Sequence, residues 1–553
     1  MPIIERVGPA AVPEDAVEAG IPMRDGVVLA ADLYLADPER PGPAVLVRLP
    51  YDKDGAYCFM PRIARYLRDR GYHVVVQDVR GKYRSGGATE FAVHEVDDGY
   101  DTIAWIADRP WCDGSVVMWG DSYYGYTALA AAAGGHPALK AIAPRLTGSQ
   151  LSTVLDFGDG TRDVEQTSRK LYFASHYVDA DRYEWPPDWK RRPLKETFED
   201  FFAGLGRRSA NFDREFGGGP GFAPPPLEVL LAARPLPVLY TVGWFDNCAV
   251  WSWHDVRALA ADERWARHLY LRVEPIDHEN HHLDQAPVGP DDDHTASPGA
   301  LDRLLPRYLD PAVEFFGAVL AGEPEPAPRV RYEVCHGPWR ESGAWPPPDC
   351  SRLELHLAAD PGPALSPEPG RPAVVEVVHD PRDPVPSPGD DPFSALSDRA
   401  DLAEVGERPD VVRFTAAPVA GDVDLVGSAA LVLALTARAG STVHARLLDV
   451  EPGGAARLVA RGQLRLTGDR EGEPVVVDLQ EVGYRLRAGH RLALDVTGGD
   501  FPDFTPEHPP GGDPWTDVPR GPGVRRISLG GSPSSRLLIG PRSAGDLRRR
   551  AGV

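Results

Sequence analysis

The sequence predicts a chain of two unlike parts: an α/β region with a mostly parallel sheet, helices on both faces and a helical cap inserted into it, and then an all-β region. Three observations lead there. Between Val27 and Leu320, short apolar runs alternate with stretches of helical period. From Asp156 to Arg234 that alternation stops, and the chain becomes rich in Trp, Tyr, Phe and charge. From Arg329 onward it turns into short β-prone runs divided by Pro, Gly and Asp clusters. A chain of 553 residues is too long for one core. We therefore expect residues 1–155 and 235–325 to form the α/β domain in two pieces, 156–234 its cap, and 329–553 a β-sandwich or jelly roll.

In the first piece, Met23-Arg24-Asp25-Gly26 is a turn and Val27 to Leu35 alternates as a strand, so the two form a hairpin. Ala44 to Leu49 is a second strand, ending at Pro50-Tyr51-Asp52-Lys53. Arg62 to Arg70 places Ile63, Tyr66 and Leu67 on one helical face, with Gly71 to stop it. Tyr72 to Gln77 is a buried strand leading into Asp78-Val79-Arg80-Gly81, and Glu95 to Asp108 is a helix. Trp111-Cys112-Asp113-Gly114 precedes the short strand Val116 to Trp119, and Tyr126 to Ala133 is a helix. The cap carries helical stretches such as Leu194 to Leu205 and ends in the Gly/Pro-rich connector 217–226. The second piece reads as strand Leu236 to Val242, helix Val250 to Ala261, strand His268 to Val273 and the long helix Leu301 to Leu320. Arg329–Cys335 is expected to open the β-rich tail, with Arg352–Leu357, Thr442–Val450 and Arg491–Val496 among the strands that follow.

Gly120-Asp121-Ser122-Tyr123-Tyr124-Gly125 lies between a predicted strand and a predicted helix. A serine on a sharp strand-to-helix turn between glycines is the nucleophile elbow of α/β-hydrolases, where the hydroxyl projects at the end of the sheet. The strict five-residue form fails, because Tyr124 stands where the second glycine belongs. Serine needs a histidine to take its proton, and the histidine needs an acid to hold its tautomer. Asp246 and His278 follow in the required chain order, each at the end of a predicted strand. Alone, Asp246 equally caps a loop, and His278 competes with His281 and His282. The amide of Tyr123 is one candidate oxyanion donor. Tyr51, at an early strand end, is the candidate for the second, and equally reads as a packed core tyrosine.

His278-Glu279-Asn280-His281-His282 matches the zinc motif H-E-x-x-H in letters. That motif works only on a helix. Pro275 upstream, and Pro287, Gly289 and Pro290 downstream, break one, so neither a metal nor another cofactor is expected. A net charge of −23 disfavours nucleic acid and anionic membrane as partners. Cys58, Cys112, Cys248, Cys335 and Cys350 are few and scattered, and residues 1–20 lack the basic start and apolar centre of a secretory signal. A reducing cytoplasm is expected, with a small-molecule substrate; assembly into a homo-oligomer stays open.

These stretches together resemble the cocaine-esterase-like (CocE/NonD) serine hydrolases, relatives of X-Pro dipeptidyl-peptidases and α-amino-acid ester hydrolases. The resemblance is carried by 23–26, 50–53, 77–81, 111–114, 120–125 and 243–246, and in the tail by Trp339 to Pro348 and Asp383-Pro384-Val385-Pro386-Ser387. An elbow with Tyr after the serine and a late glycine is typical of that family. The resemblance implies Ser122 as nucleophile, Asp246 as orienting acid, His278 as base, and Tyr51 and Tyr123 as oxyanion donors. It implies hydrolysis of an ester or amide through an acyl-enzyme, with the cap over the pocket and a jelly roll as one wall. Acyl transfer on the same intermediate, peptidase action and a non-catalytic binding role are the alternatives. The family's Gly-Pro-Trp before the histidine is replaced here by Glu274-Pro275-Ile276-Asp277, which sets a carboxylate beside the base.

Overall fold

The computed structural model describes residues 3–217, 221–389, 391–519, 521–531 and 534–541, with 545, 546 and 548 beyond them. Ten strands form the sheet of the α/β part: β1 (Val17–Pro22), β2 (Val28–Tyr34), β3 (Gly42–Leu49), β4 (His73–Asp78), β5 (Cys112–Asp121), β6 (Leu139–Arg145), β7 (Val238–Gly243), β8 (Leu269–Glu274), β9 (Val330–Glu333) and β10 (Trp339–Ser342). Their order across the sheet is β10-β9-β8-β7-β6-β5-β3-β4-β2-β1. The pairs from β4 to β9 are parallel, and β1, β2 and β10 run antiparallel at the two edges.

The order reverses at β3. Its following strand, β4, lies on one side of it and β5 on the other. Parallel strands leave a crevice beyond their carboxyl ends at such a switch point. Tyr51 follows β3 and Ser122 follows β5, so the topology alone brings both to one crevice. Period-two alternation sorts the strand side chains onto two faces. Val45, Val47, Val117 and Trp119 pack on one face, and Leu46, Val116 and Met118 on the other. The elbow helix Ser122–Gly134 is buried along most of its length, as expected of the helix at the centre of such a domain.

Two readings need correction. Arg329–Cys335 does not open the β-rich tail: Val330 to Tyr332 pairs in parallel with Leu271 to Val273, extending the first sheet. Its alternation suits any half-buried strand and carries no address. The strand Leu139–Arg145 passed unread, because Lys140, Pro144 and Arg145 break its apolar run. The other elements named above lie within a few residues of their predicted positions, the long helix starts early, at Pro298, with Ser297 as its cap, and the long strand Val423–Ala437 of the C-terminal part was not read.

The cap contributes helices Ser168–His176, Lys195–Leu205, Ala210–Phe216 and Leu227–Ala232. Its inner helices join the core that lies on the Val117 face of the sheet. The C-terminal part is β-rich and has its own core, which includes Leu431, Leu447, Leu464 and Leu494. A short cap strand, Thr161–Arg162, pairs with the edge strand Ala456–Leu466 and stitches the two parts together. Among the described residues no helix is long and apolar enough to cross a membrane.

Candidate active site

Ser122 sits at the β5-to-helix turn with φ of +50°, a region non-glycine residues seldom occupy. The two glycines explain how the turn closes. A Cβ on Gly120 would run into the carbonyl of Tyr124. One on Gly125 would lie 2.7 Å from the Gly120 oxygen and 2.8 Å from Thr147 Cγ2. The close approach of strand and helix thus falls at 125, one residue later than in the five-residue motif, and Tyr124 is free to pack.

His278 Nε2 lies 3.0 Å from Ser122 Oγ, and His278 Nδ1 lies 2.7 Å from Asp246 Oδ1. Asp246 follows β7 and His278 follows β8, so neighbouring strands deliver the acid and the base. Asp246 Oδ1 also accepts the Cys248 amide at 3.0 Å. Burial by itself lowers the His278 pKa, but Cys248 and Asp246 beside the ring lift it well above the ordinary histidine value. Burial in turn raises the Cys248 thiol pKa. Phe393, from the β-rich part, covers the imidazole at 5.2 Å between centroids.

Tyr51 faces Ser122, and burial pushes its phenol up to about 12, so it remains a donor. Tyr172 donates to the Tyr51 oxygen at 3.4 Å, which leaves the Tyr51 proton for another acceptor. Edge contacts from Tyr57, Tyr124, Tyr172 and His176 fix the ring. Lys53, just downstream, is fully buried between Asp32 and Asp54 at 3.1 Å and Asp78 at 3.7 Å, and so pins the segment that presents Tyr51. The Tyr123 side chain turns the other way: its hydroxyl donates to Glu95 at 2.9 Å and accepts the Ala92 amide. That anchor leaves the Tyr123 amide in the first turn of the elbow helix, beside Ser122.

A second layer went unread in the sequence. The Asp121 carboxylate takes Arg145 Nε at 2.9 Å, Asn280 Nδ2 at 2.8 Å and the Tyr308 hydroxyl at 2.8 Å. Arg145 Nη2 returns to Asn280 Oδ1 at 2.8 Å, closing a ring of contacts. Asn280 stands two residues past the base, in the left-handed region with φ of +63°. The network therefore ties the loop of His278 to the residue before Ser122. The only legible signal was a charged residue where an elbow usually has none.

The carboxylate of Asp277 does not face the base. It accepts the His281 amide, His281 Nδ1 and the Leu396 amide instead. The H-E-x-x-H letters lie on a turn held by an Ile276–His282 bridge, so His278 and His282 share no helical face. Beside Ser122 and His278 opens a cavity of about 150 Å³ lined by aromatic and apolar groups, among them Tyr57, Phe91, Leu171, Tyr172 and Trp251.

A serine on a strained turn, an imidazole within reach of it and a buried acid behind the ring make up a proton-relay set of the kind that activates a nucleophile. Residues 25–201 match the X-Pro dipeptidyl-peptidase (S15 family) model, and residues 323–538 match the X-Pro dipeptidyl-peptidase C-terminal non-catalytic domain. Cocaine esterase from Rhodococcus sp. (strain MB1 Bresler) is 29% identical over 538 residues, covering 88% of this chain and 90% of that one. Over most of its length the chain is thus similar to the cocaine-esterase-like (CocE/NonD) serine hydrolases. Among solved structures, an α-amino acid ester hydrolase superposes with a TM-score of 0.74 at 21% identity, covering 96% of this chain and 98% of that one. A CocE/NonD family hydrolase from Staphylococcus aureus superposes with a TM-score of 0.61 at 18% identity, covering 97% and 93%. Both share the fold. This CocE/NonD-type chain thus combines an α/β-hydrolase domain with a β-rich C-terminal domain.

Proposed function

We propose that this serine hydrolase cleaves a carboxylic ester or amide through an acyl-enzyme, with Ser122 as nucleophile, His278 as base and Asp246 as orienting acid. The observation that carries the reading is the continuous relay from Ser122 Oγ through the imidazole to Asp246, at 3.0 Å and 2.7 Å. His278 takes the serine proton as Ser122 attacks the acyl carbon. The Tyr51 phenol and the Tyr123 amide hold the oxyanion, where preorganised donors act most strongly. His278 then protonates the leaving group, and the same ring activates water to release the acid. No step requires a group other than these side chains, the Tyr123 amide and water.

The cavity favours a compact, apolar or aromatic acyl group, since aromatic and apolar side chains wall its 150 Å³. We place the enzyme in a reducing cytoplasm, because all five of its cysteines are unpaired and four of them are buried. Fluorophosphonate labelling tests the nucleophile. Wild type should be labelled at Ser122 and lose turnover of an aryl ester, and Ser122→Ala should show neither labelling nor turnover. Full turnover in Ser122→Ala would end the proposal.

A further inference from the structure

A group of side chains behind the catalytic loop is used by none of these steps. His281 lies three residues past His278, and Asp293 and His294 lie in the turns that lead into the long helix Pro298–Leu320. One nitrogen from each histidine and one Asp293 carboxylate oxygen all lie within 4.8 Å of one another. Both imidazoles are buried, at 5% and 7% exposure, with centroids 5.1 Å apart.

The polarity of His281 is set by its neighbours. Asp277 Oδ2 lies 3.3 Å from His281 Nδ1, while Asp277 also accepts the His281 and Leu396 amides. A carboxylate only accepts, so Nδ1 carries the proton and the lone pair of the neutral ring falls on Nε2. Nε2 is buried and has no hydrogen-bond partner. A buried polar atom left bare calls for an explanation. Nor does protonation resolve it, since an Nε2–H would then be buried without an acceptor. A carboxylate behind the far nitrogen of a histidine is the arrangement that orients histidines toward metal ions.

We infer that His281, Asp293 and His294 form a binding site for a zinc-class divalent cation. Two imidazoles and one carboxylate are a borderline donor set that suits zinc and its first-row neighbours better than calcium or magnesium. Phe59 packs edge-on against the His294 ring. Asp293 is half-buried, which leaves a way in and a position for water. Tetrahedral coordination needs donor atoms about 3.3 Å apart, so side-chain rotation within the cluster closes the set. The set differs from the H-E-x-x-H reading, sharing neither His278 nor His282 with it. The bound ion would tie the loop that carries His278 to the start of the long helix, and so serve position rather than chemistry.

The test uses the full chain, stripped with a chelator and titrated with Zn²⁺ against a chromophoric chelator at neutral pH. Wild type should take up one equivalent and gain thermal stability. His294→Phe should weaken that uptake at least about 100-fold and abolish the thermal gain, while Asp293→Asn weakens it about tenfold. A cooperative thermal transition of His294→Phe, matching that of metal-stripped wild type, shows that the variant is folded. Zinc seated on Asp246, Cys248 and His278 would instead block labelling of Ser122. Zinc seated on His282, Asp284 and Glu333 would be lost in Glu333→Gln and retained in His294→Phe. Either of those outcomes, or no uptake by wild type, overturns the inference.

Discussion

Removing one oxygen atom tests the oxyanion site most cleanly. In Tyr51→Phe the ring should stay in place, because Tyr57, Tyr124, Tyr172 and His176 hold it at centroid distances of 5.3 to 6.4 Å. The fold loses only a long hydrogen bond from Tyr172, at 3.4 Å. A normal hydrogen bond is worth about 0.5–1.5 kcal/mol net, so the loss of stability should fall near the bottom of that range. The transition state loses one of two preorganised donors, which costs roughly 2.7–4 kcal/mol, or about 10²–10³ in kcat. Steady-state hydrolysis of an aryl ester should therefore show kcat down by that factor with KM changed less than about threefold. The pH profile should keep its shape, because a phenol at about 12 does not titrate in the working range. A kcat within threefold of wild type, or a loss confined to KM, would refute Tyr51 as an oxyanion donor.

Asp246→Asn should lower kcat by about 10⁴, as expected when the acid that sets the base's tautomer becomes an amide, with normal melting behaviour as the control. His278 must be neutral to accept the serine proton, and its pKa in the free enzyme is raised. The kcat/KM profile should thus fall as pH drops through an inflection above the ordinary 6.5, and Asp246→Asn should move that inflection down. Asn280→Gly keeps the left-handed backbone but removes the contacts to Arg145 and Asp121. It should reduce kcat about tenfold and stability by roughly 1–3 kcal/mol, since buried partners are left unpaired. Unchanged kcat in that variant would show that the network holds the fold and not the base. Gly125→Ala should fail to accumulate as folded protein, because its methyl group meets backbone on one side and Thr147 on the other.

Much of the site was legible because its chemistry lies in residues that punctuate secondary structure. Ser122, Asp246 and His278 each follow an apolar run of strand length, and chain order supplied the roles proposed for them. Tyr51 was legible for the same reason. Arg145, Asn280 and Tyr308 were not, because each is an ordinary polar residue until Asp121 is folded against it. Asp277 was read correctly as a neighbour of the base in the chain, yet its side chain points to the opposite side of the loop.

The sequence by itself determined where most strands and helices of the α/β part fall, since periodicity and glycine placement are local properties of the chain. It determined as well that serine, acid and histidine come in workable order. Only the tertiary structure decided which sheet receives Val330–Glu333, how Asp121 meets Asn280, and that His281, Asp293 and His294 gather in one place. Those outcomes depend on contacts between segments distant in the chain. Many partners satisfy the same local pattern, and the one that forms is chosen by packing of the whole.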